Sequence, residues 1–326
     1  MKKNIAIIMG GYSSEVAISL KSGSVVFKHL DKTKFNSYCV HILKEGWFLV
    51  ENEEHFPINK HDFSVEYKNE KLTFDCVFNA IHGAPGENGV ILAYFDLLGI
   101  KHTSAPFYQM ALTFNKRDTL SILRKYDIPT ATSIYLNKGE SIDVDFITNK
   151  VGLPCFVKPN NAGSSFGISK AHTKDDIIPA IEKAYKEDNE ILIESFLDGK
   201  EVSVGVIEYN NVVKVLPITE IVSENDFFDY EAKYEGKSQE ITPARLTEDE
   251  EIKVREVAKK AYEVLNMSGF SRSEYIFVDG IPHFLEMNTV PGLTEESILP
   301  QQANEAGISL ADLFENAIMS SLNSEA

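Results

Sequence analysis

Residues 5–9, Ile5-Ala6-Ile7-Ile8-Met9, form an unbroken apolar run that stops at Gly10-Gly11 and gives way to a helical spacing of apolar residues at Val16, Ile18, Leu20, Val25, Val26 and Leu30. A strand apolar at every position is buried on both faces. Followed by a glycine turn and an amphipathic helix, it reads as the opening unit of a parallel α/β sheet. The start is basic, but no small-residue cleavage site follows the short apolar run, so it is read as a strand and not a leader. No stretch approaches the ~18 apolar residues of a membrane span, and the expectation is a soluble, cytoplasmic protein.

Further strands are expected at 38–43, 76–81 and 101–104, with a hairpin around 46–50 and a helix at 90–98, giving a parallel α/β first domain over residues 1–104. A smaller α+β unit over 105–194 starts with a helix at 108–126 that ends before Pro129. It continues with strands at 155–158, 168–171 and 191–194 and a helix at 174–187. The remainder, 195–326, has strands at 201–209 and 212–221, a helix opened by the capping box Thr247-x-x-Glu250, a hairpin (275–278 and 283–287) turning at Asp279-Gly280, and a helix at 310–322. Between them lies the polar, aromatic stretch 223–240. A structureless run of that length in a compact domain is usually a functional lid.

With 32 Lys and Arg against 49 Asp and Glu, the 326-residue chain carries a net charge of −17. Its overall field repels nucleic acid and anionic membrane, so a polyanionic ligand needs a local cluster of cations. Cys39, Cys76 and Cys155 are odd in number and widely spaced, which supports neither a disulfide framework nor a zinc site.

Lys158 interrupts the apolar strand Cys155-Phe156-Val157 just before the loop Asn160-Asn161-Ala162-Gly163-Ser164-Ser165-Phe166-Gly167. A buried ammonium calls for an anion, and a Gly/Ser loop offers backbone N–H groups and hydroxyls suited to polyphosphate. Taken alone, the segment equally fits a snorkelling lysine beside a hairpin loop. No Walker-type P-loop exists in the chain.

The C-terminal hairpin carries Arg272 and Glu274 on one arm and Glu286 and Asn288 on the other. Each pair shares a face because strand side chains alternate. All four share one face only if the turn has an odd number of residues, and a three-residue loop with a left-handed glycine is expected. Two carboxylates and a carboxamide then make an oxygen-rich Mg²⁺ site. Glycine turns at Gly10-Gly11 and at His82-Gly83-x-x-Gly86-Glu87 sit where α/β sheets bind ligands. As isolated features, Glu15 fits a helix-dipole partner and His82 a packed histidine.

In order along the chain, Gly10-Gly11-x-Ser13-x-Glu15, His82-Gly83-x-x-Gly86-Glu87-x-Gly89, Val157-Lys158-Pro159 with Gly163-Ser164-Ser165-x-Gly167, and Glu286-x-Asn288-Thr289-x-Pro291-Gly292-x-Thr294-x-x-Ser297 together resemble the D-alanine–D-alanine ligases of the ATP-grasp superfamily. Phe228-Asp229-Tyr230-Glu231-Ala232-Lys233-Tyr234 resembles that family's omega loop. The likeness runs from about residue 4 to residue 320 and implies a three-domain ATP-grasp fold with an N-terminal Rossmann-like parallel sheet. It also implies ATP and two Mg²⁺ (or Mn²⁺) as cofactors, D-alanine as substrate, a homodimer, and a place in peptidoglycan precursor synthesis.

Carried over residue by residue, the resemblance makes Lys116 and Lys158 phosphate ligands, Glu194 and Leu197 adenine contacts, Glu201 the ribose contact and Lys233 a γ-phosphate contact made on lid closure. Glu274, Glu286 and Asn288 would hold the metals. Glu15 would grip the first ammonium, Ser164 and Tyr234 would link lid to substrate, Ser297 would bind the second carboxylate, and Arg272 with the Gly292 N–H would stabilise the oxyanion. Glu274 replaces the family's usual aspartate. Ala17, Asn88 and Leu92-Ala93 also depart from frequent family residues. In ligases of this superfamily that make an ester with D-lactate the omega-loop position matching Tyr234 is typically not tyrosine, so the resemblance implies an amine as second nucleophile, with a D-alanine–D-lactate or other D-amino-acid ligase as the alternative.

Two rival readings are weaker. A nicotinamide-dependent dehydrogenase lacks its G-x-G-x-x-G here, and Glu45 lies too far from Gly10 to grip a ribose. A non-catalytic ATP-binding module has no need of Glu15, Arg272, Glu286 and Asn288 together.

Overall fold

The computed structural model describes residues 2–161, 163, 166–223 and 238–324. Its first sheet is built from β1 (Lys3–Gly10), β2 (Phe35–Leu43), β3 (Gly46–Glu51), β4 (Glu54–Asn59), β5 (Ser64–Tyr67), β6 (Glu70–Leu72), β7 (Cys76–Asn79) and β8 (Lys101–His102), with α1 (Val16–His29) and α2 (Val90–Leu98) between strands. The order is β6-β5-β4-β3-β2-β1-β7-β8. Strands β2, β1, β7 and β8 are parallel, as the opening unit implies. The sheet is not parallel throughout, however, because β3 to β6 extend it as an antiparallel meander. The tight turns Asn52-Glu53 and Lys68-Asn69, all at positive φ, can join only antiparallel neighbours. Glu and Lys are unusual there, which hides these turns in the sequence.

The apolar run of β1 is explained by two-sided burial. Ile5, Ile7 and Met9 pack with α1 and the C-terminal helix, while Ala6 and Ile8 belong to the core on the opposite face. The turn after β1 needs glycine. At Gly11 (φ +101) an added Cβ would lie 2.8 Å from Ile81 and 3.0 Å from the Ala84 carbonyl oxygen. Ser19 of α1 joins this turn to β7, accepting from the Gly10 N–H at 2.8 Å and donating to the Ala80 carbonyl at 2.8 Å.

Next come α3 (Phe107–Phe114), α4 (Lys116–Lys125), β9 (Ser133–Asn137), α5 (Val144–Val151), β10 (Cys155–Pro159), β11 (Ser169–Ala171), α6 (Lys174–Ala184) and β12 (Glu190–Ser195). The single helix expected at 108–126 is in fact two. Asn115 is extended (φ −87, ψ 102), and its side chain accepts the Asp118 N–H at 3.0 Å, so a fresh helix begins at Lys116. The strands form an antiparallel sheet in the order β11-β10-β12-β9. Cys155, Val157, Ile191 and Ile193 face α5 and α6 in an apolar core, which leaves Phe156, Lys158, Leu192 and Glu194 on the other face.

The last sheet contains β13 (Lys200–Tyr209), β14 (Val212–Val215), β15 (Thr219–Ser223), β16 (Ser238–Ile241), β17 (Phe270–Val278) and β18 (Ile281–Asn288), accompanied by α7 (Glu248–Val264), α8 (Ile298–Glu305) and α9 (Leu310–Asn323). Its order is β16-β15-β13-β17-β18, with β14 paired to β13. The strand expected at 212–221 breaks into β14 and β15 at Pro217, which has no N–H to give a ladder. Helix α8 was hidden by Pro300, a residue tolerated in a first turn where the N–H has no intrahelical partner. Among the described residues no helix is long and apolar enough to cross a membrane.

The β17–β18 turn corrects an expectation. Val278 pairs with Ile281, so the loop is the two-residue Asp279-Gly280, both at positive φ, and not an odd-numbered one. The four polar residues nevertheless share a face. A register shift at Glu274/Tyr275 leaves Leu285 unpaired as a bulge, so that Glu274 faces Glu286 and Arg272 faces Asn288. The extra residue on the strand restores the parity that the even turn removes.

Candidate active site

The face of the third sheet opposite its α7 core carries Glu201, Ser203, Arg272, Glu274, Glu286 and Asn288. Arg272 Nη1 donates to Glu274 Oε1 at 2.6 Å and to Ser203 Oγ at 2.9 Å. Burial works against the Arg272 charge, but Glu274, with Glu286 and Glu240 beyond it, more than offsets this and keeps the guanidinium firmly cationic. Lys116 at the head of α4 lies 3.5 Å from Glu286 Oε2. The facing carboxylates are thus each flanked by a cation. Among the described residues the buried amide nitrogen of Asn288 has no hydrogen-bond partner.

Lys158 is not a snorkelling lysine. Its Nζ lies 2.8 Å from Glu194 Oε2, and both side chains are largely buried. Desolvation opposes its charge, while Glu194 first and then Glu286 and Glu201 raise its pKa. Lys158 therefore looks from the second sheet across to the acidic face of the third. The spacing of the two lysines is set by buried Asn160. Its Oδ1 accepts the Arg117 N–H at 2.9 Å, and its Nδ2 donates to Glu190 Oε2 at 2.9 Å. Phe284 of β18 donates its N–H to the Pro129 carbonyl at 2.8 Å, which fastens the strand entering the second sheet to the third.

The first domain contributes from two loops. Glu15 is the N-cap of α1, but its side chain makes no cap hydrogen bond. Its carboxylate instead lies 3.1 Å from where a Cβ on Gly163 would stand and 3.2 Å from one on Gly83. His82 is buried with both ring nitrogens engaged. The Val290 carbonyl, 2.7 Å away, can only accept, so Nδ1 carries the proton and Nε2 accepts the Ser22 hydroxyl at 3.0 Å. Burial pushes its pKa below the usual histidine value and keeps the ring neutral. Glu87 accepts N–H groups from Gly83, Thr289 and Val290. Ser297 stands at the N-cap position of α8 without a side-chain cap hydrogen bond, its Oγ 2.7 Å from Thr294 Oγ1 and close against Gly292.

Lys116, Lys158, Glu194, Arg272, Glu274, Glu286 and Asn288 are thus linked through neighbouring contacts between the second and third sheets, while Glu15 lies beside Gly83 and Gly163, and Ser297 lies against Gly292. Leu197 lies in the connection from β12 to β13, and Glu201 lies near the start of β13. Glu194 reaches Lys158 at 2.8 Å. Ser164, Lys233, Tyr234 and the stretch 224–237 fall outside the described residues. Sequence reasoning passed over Ser22, Asn160 and Glu240 as site residues, and took His82 and Glu87 only as parts of a motif. Glu240 sits on the polar face, its carboxyl pushed up by burial, near Arg272 and Glu274. Only the H-G-x-x-G-E string carried a signal for any of these.

Two cationic side chains facing an acidic sheet across a cleft, with a Rossmann-like sheet closing one end, define an enzyme of the ATP-grasp class. Residues 4–105 match the family model described as D-ala D-ala ligase N-terminus, and residues 122–319 match D-ala D-ala ligase C-terminus. The chain is 67% identical over 321 residues to a D-alanine–D-alanine ligase of Flavobacterium johnsoniae, covering 98% of this chain and 99% of that one. It superposes on the VanG D-Ala:D-Ser ligase of Enterococcus faecalis with a TM-score of 0.87 at 29% identity, covering 98% and 99% of the two chains. The D-alanine–D-alanine ligase of Bacillus anthracis complexed with ATP gives a TM-score of 0.79 at 28% identity, covering 98% and 97%. The chain belongs to the D-alanine–D-alanine ligase family.

Proposed function

We propose that this enzyme joins two D-alanine molecules at the expense of ATP, supplying D-alanyl-D-alanine for cell-wall precursors. The observation that carries this reading is the placement of Lys116 and Arg272 on the facing pair Glu274 and Glu286, with Lys158, paired to Glu194, feeling the charge of Glu286 and Glu201 from the second sheet. The first D-alanine, its ammonium beside Glu15, attacks the γ-phosphorus of ATP through a carboxylate oxygen. The bond to ADP breaks and an acyl phosphate forms. The amine of the second D-alanine attacks that carbonyl, the C–O bond to phosphate breaks, and the amine loses a proton. Negative charge builds on phosphoryl oxygens and then on the tetrahedral oxygen, so preorganised cations and N–H donors supply the stabilisation.

Lys116 and Lys158 hold phosphate oxygens, Arg272 and the Gly292 N–H receive the oxyanion, and Ser297 takes the second carboxylate. Glu194, Leu197 and Glu201 line the nucleoside end. The oxygen donors of Glu274, Glu286 and Asn288 suit two Mg²⁺ (or Mn²⁺), which supply positive charge to the phosphates when bound. Ser164, Lys233 and Tyr234 belong to the lid side of the reading. The three sheets support functional units at 1–104, 105–194 and 195–326. Exposed Val90, Leu97, Phe107 and Tyr108 on α2 and α3 favour a homodimer. A cytoplasmic location follows from the supply of ATP and free D-alanine.

The test is ADP formation with D-alanine, D-serine and D-lactate offered as second substrate, with the products identified by mass. Absence of D-alanine-dependent ADP release would exclude the reading, and a preference for D-serine or D-lactate would change its second substrate.

A further inference from the structure

Three buried side chains of the first domain grip one short stretch of backbone in the third. Glu87 Oε1 accepts the N–H of Thr289 at 3.0 Å and of Val290 at 3.4 Å, while its Oε2 accepts the N–H of Gly83 at 3.1 Å. His82 Nδ1 donates to the Val290 carbonyl at 2.7 Å. Ser22 Oγ accepts the Leu293 N–H at 3.2 Å and donates to His82 Nε2 at 3.0 Å. The backbone is thus pinned at residues 289 and 290 on one side of Gly292 and at residue 293 on the other. None of the three side chains holds the Gly292 N–H itself; they fix the chain that aims it.

We infer that Glu87 is a positioning residue that couples the aim of the Gly292 N–H to the turn beside Glu15. Gly83 is the shared neighbour. Its N–H goes to Glu87, and its α-carbon abuts the Glu15 carboxylate, 3.2 Å from where a Cβ would be. An ammonium seated at Glu15 therefore rests on the same turn that holds Glu87. The job requires a carboxylate, since both oxygens must accept. Glutamine offers one acceptor oxygen and turns N–H donors toward a backbone donor, and aspartate is a methylene short of spanning the gap between Gly83 and Thr289.

The inference rests on the ligase reading and makes a narrower claim. A misaimed Gly292 N–H harms attack on the acyl phosphate more than its formation, so ATP is still consumed while water intercepts the intermediate and returns D-alanine and phosphate.

The experiment measures ADP and dipeptide in the same reactions with ATP, Mg²⁺ and D-alanine, for the wild type, Glu87→Gln, Glu87→Asp and Ser22→Ala. The wild type is expected to form one dipeptide per ADP. Glu87→Gln is expected to lose about 30-fold in kcat for dipeptide, with its KM for ATP moving less than about twofold and its dipeptide-to-ADP ratio falling well below that of the wild type. Ser22→Ala, which removes one pin and keeps Glu87, should lower the ratio less, and Glu87→Asp should fall between. A wild-type ratio in Glu87→Gln overturns the inference, as does a loss shared equally by ATP affinity and thermal midpoint. If Glu87→Gln does not fold, a wild-type ratio in Ser22→Ala overturns it instead. A wild type that makes no dipeptide at all defeats the ligase reading, a distinct outcome.

Discussion

Glu274 stands directly opposite Glu286 across the β17–β18 ladder, and the bulged Leu285 is what puts it there. Two facing carboxylates repel unless cations intervene, and here Arg272 contacts one at 2.6 Å while Lys116 approaches the other to 3.5 Å. Shortening Glu274 by one methylene withdraws its oxygen from Arg272 and keeps the charge. Glu274→Asp is therefore expected to lower kcat about tenfold and raise the Mg²⁺ concentration needed, with Glu274→Gln worse on both. Phosphate release titrated with Mg²⁺ reads this, and an unshifted Mg²⁺ curve for both variants would remove Glu274 from the metal site.

Lys158 and Glu194 form a largely buried ion pair in which either partner alone is a liability. Lys158→Met leaves the Glu194 carboxylate unpaired and should cost about 3 kcal/mol of stability as well as ATP binding. Adding Glu194→Leu should return most of the stability and none of the activity. Urea unfolding alongside nucleotide binding separates the two effects. A double variant that recovers binding would make Lys158 a structural residue.

The sequence announced what has a period or a rigid spacing. The run at 5–9 marked the central strand, the Thr247–Glu250 box marked the start of α7, and the alternation around Arg272 and Glu286 marked the polar hairpin face. It misjudged what depends on a single residue's geometry. The bulge at Leu285 is one leucine among apolar neighbours, and nothing local distinguishes it from a paired strand residue. The break at Asn115 lies inside an otherwise continuous helical pattern. Ser22, His82 and Glu87 are distant in sequence from the backbone they hold, and only the folded chain brings them to residues 289–293. The resemblance included His82 and Glu87 only as members of a motif, with no role given to either, and passed over Ser22.

Burial, and secondarily the charge of Glu15, raises the Glu87 carboxyl from 4.5 to about 7. The unfolded chain releases this proton near the lower value and the folded chain near the upper. Between them the native state binds more protons, so this group's contribution to stability is full below about 4.5 and is lost as pH rises through about 7. Relative to Glu87→Gln, the wild type should lose on the order of 3 kcal/mol across that window. An ammonium bound at Glu15 cancels the neighbouring charge and lowers the Glu87 pKa. Amino-acid binding near neutral pH should therefore release protons, measurable by calorimetry in two buffers of different ionisation enthalpy. Buffer-independent heats would contradict the linkage.

Gly292 and Ser297 are packed too closely for any side chain between them. A Cβ on Gly292 would lie 2.7 Å from Ser297 Oγ and 3.1 Å from its Cβ. Ser297 is held by its N–H, which donates to the Thr294 carbonyl at 2.9 Å, and by its hydroxyl, 2.7 Å from Thr294 Oγ1. Gly292→Ala should therefore displace the Ser297 hydroxyl and the Gly292 N–H together. The expected result is a kcat about 100-fold lower and a raised KM for the second D-alanine, with ATP affinity unchanged. Ser297→Ala removes the nearer of the two clashing atoms, so the double variant should be less impaired than the product of the single effects. Dipeptide formation at saturating ATP with D-alanine varied gives all four corners of that cycle. Strictly multiplicative effects would mean that the two residues act independently and that their close approach has no part in the reaction.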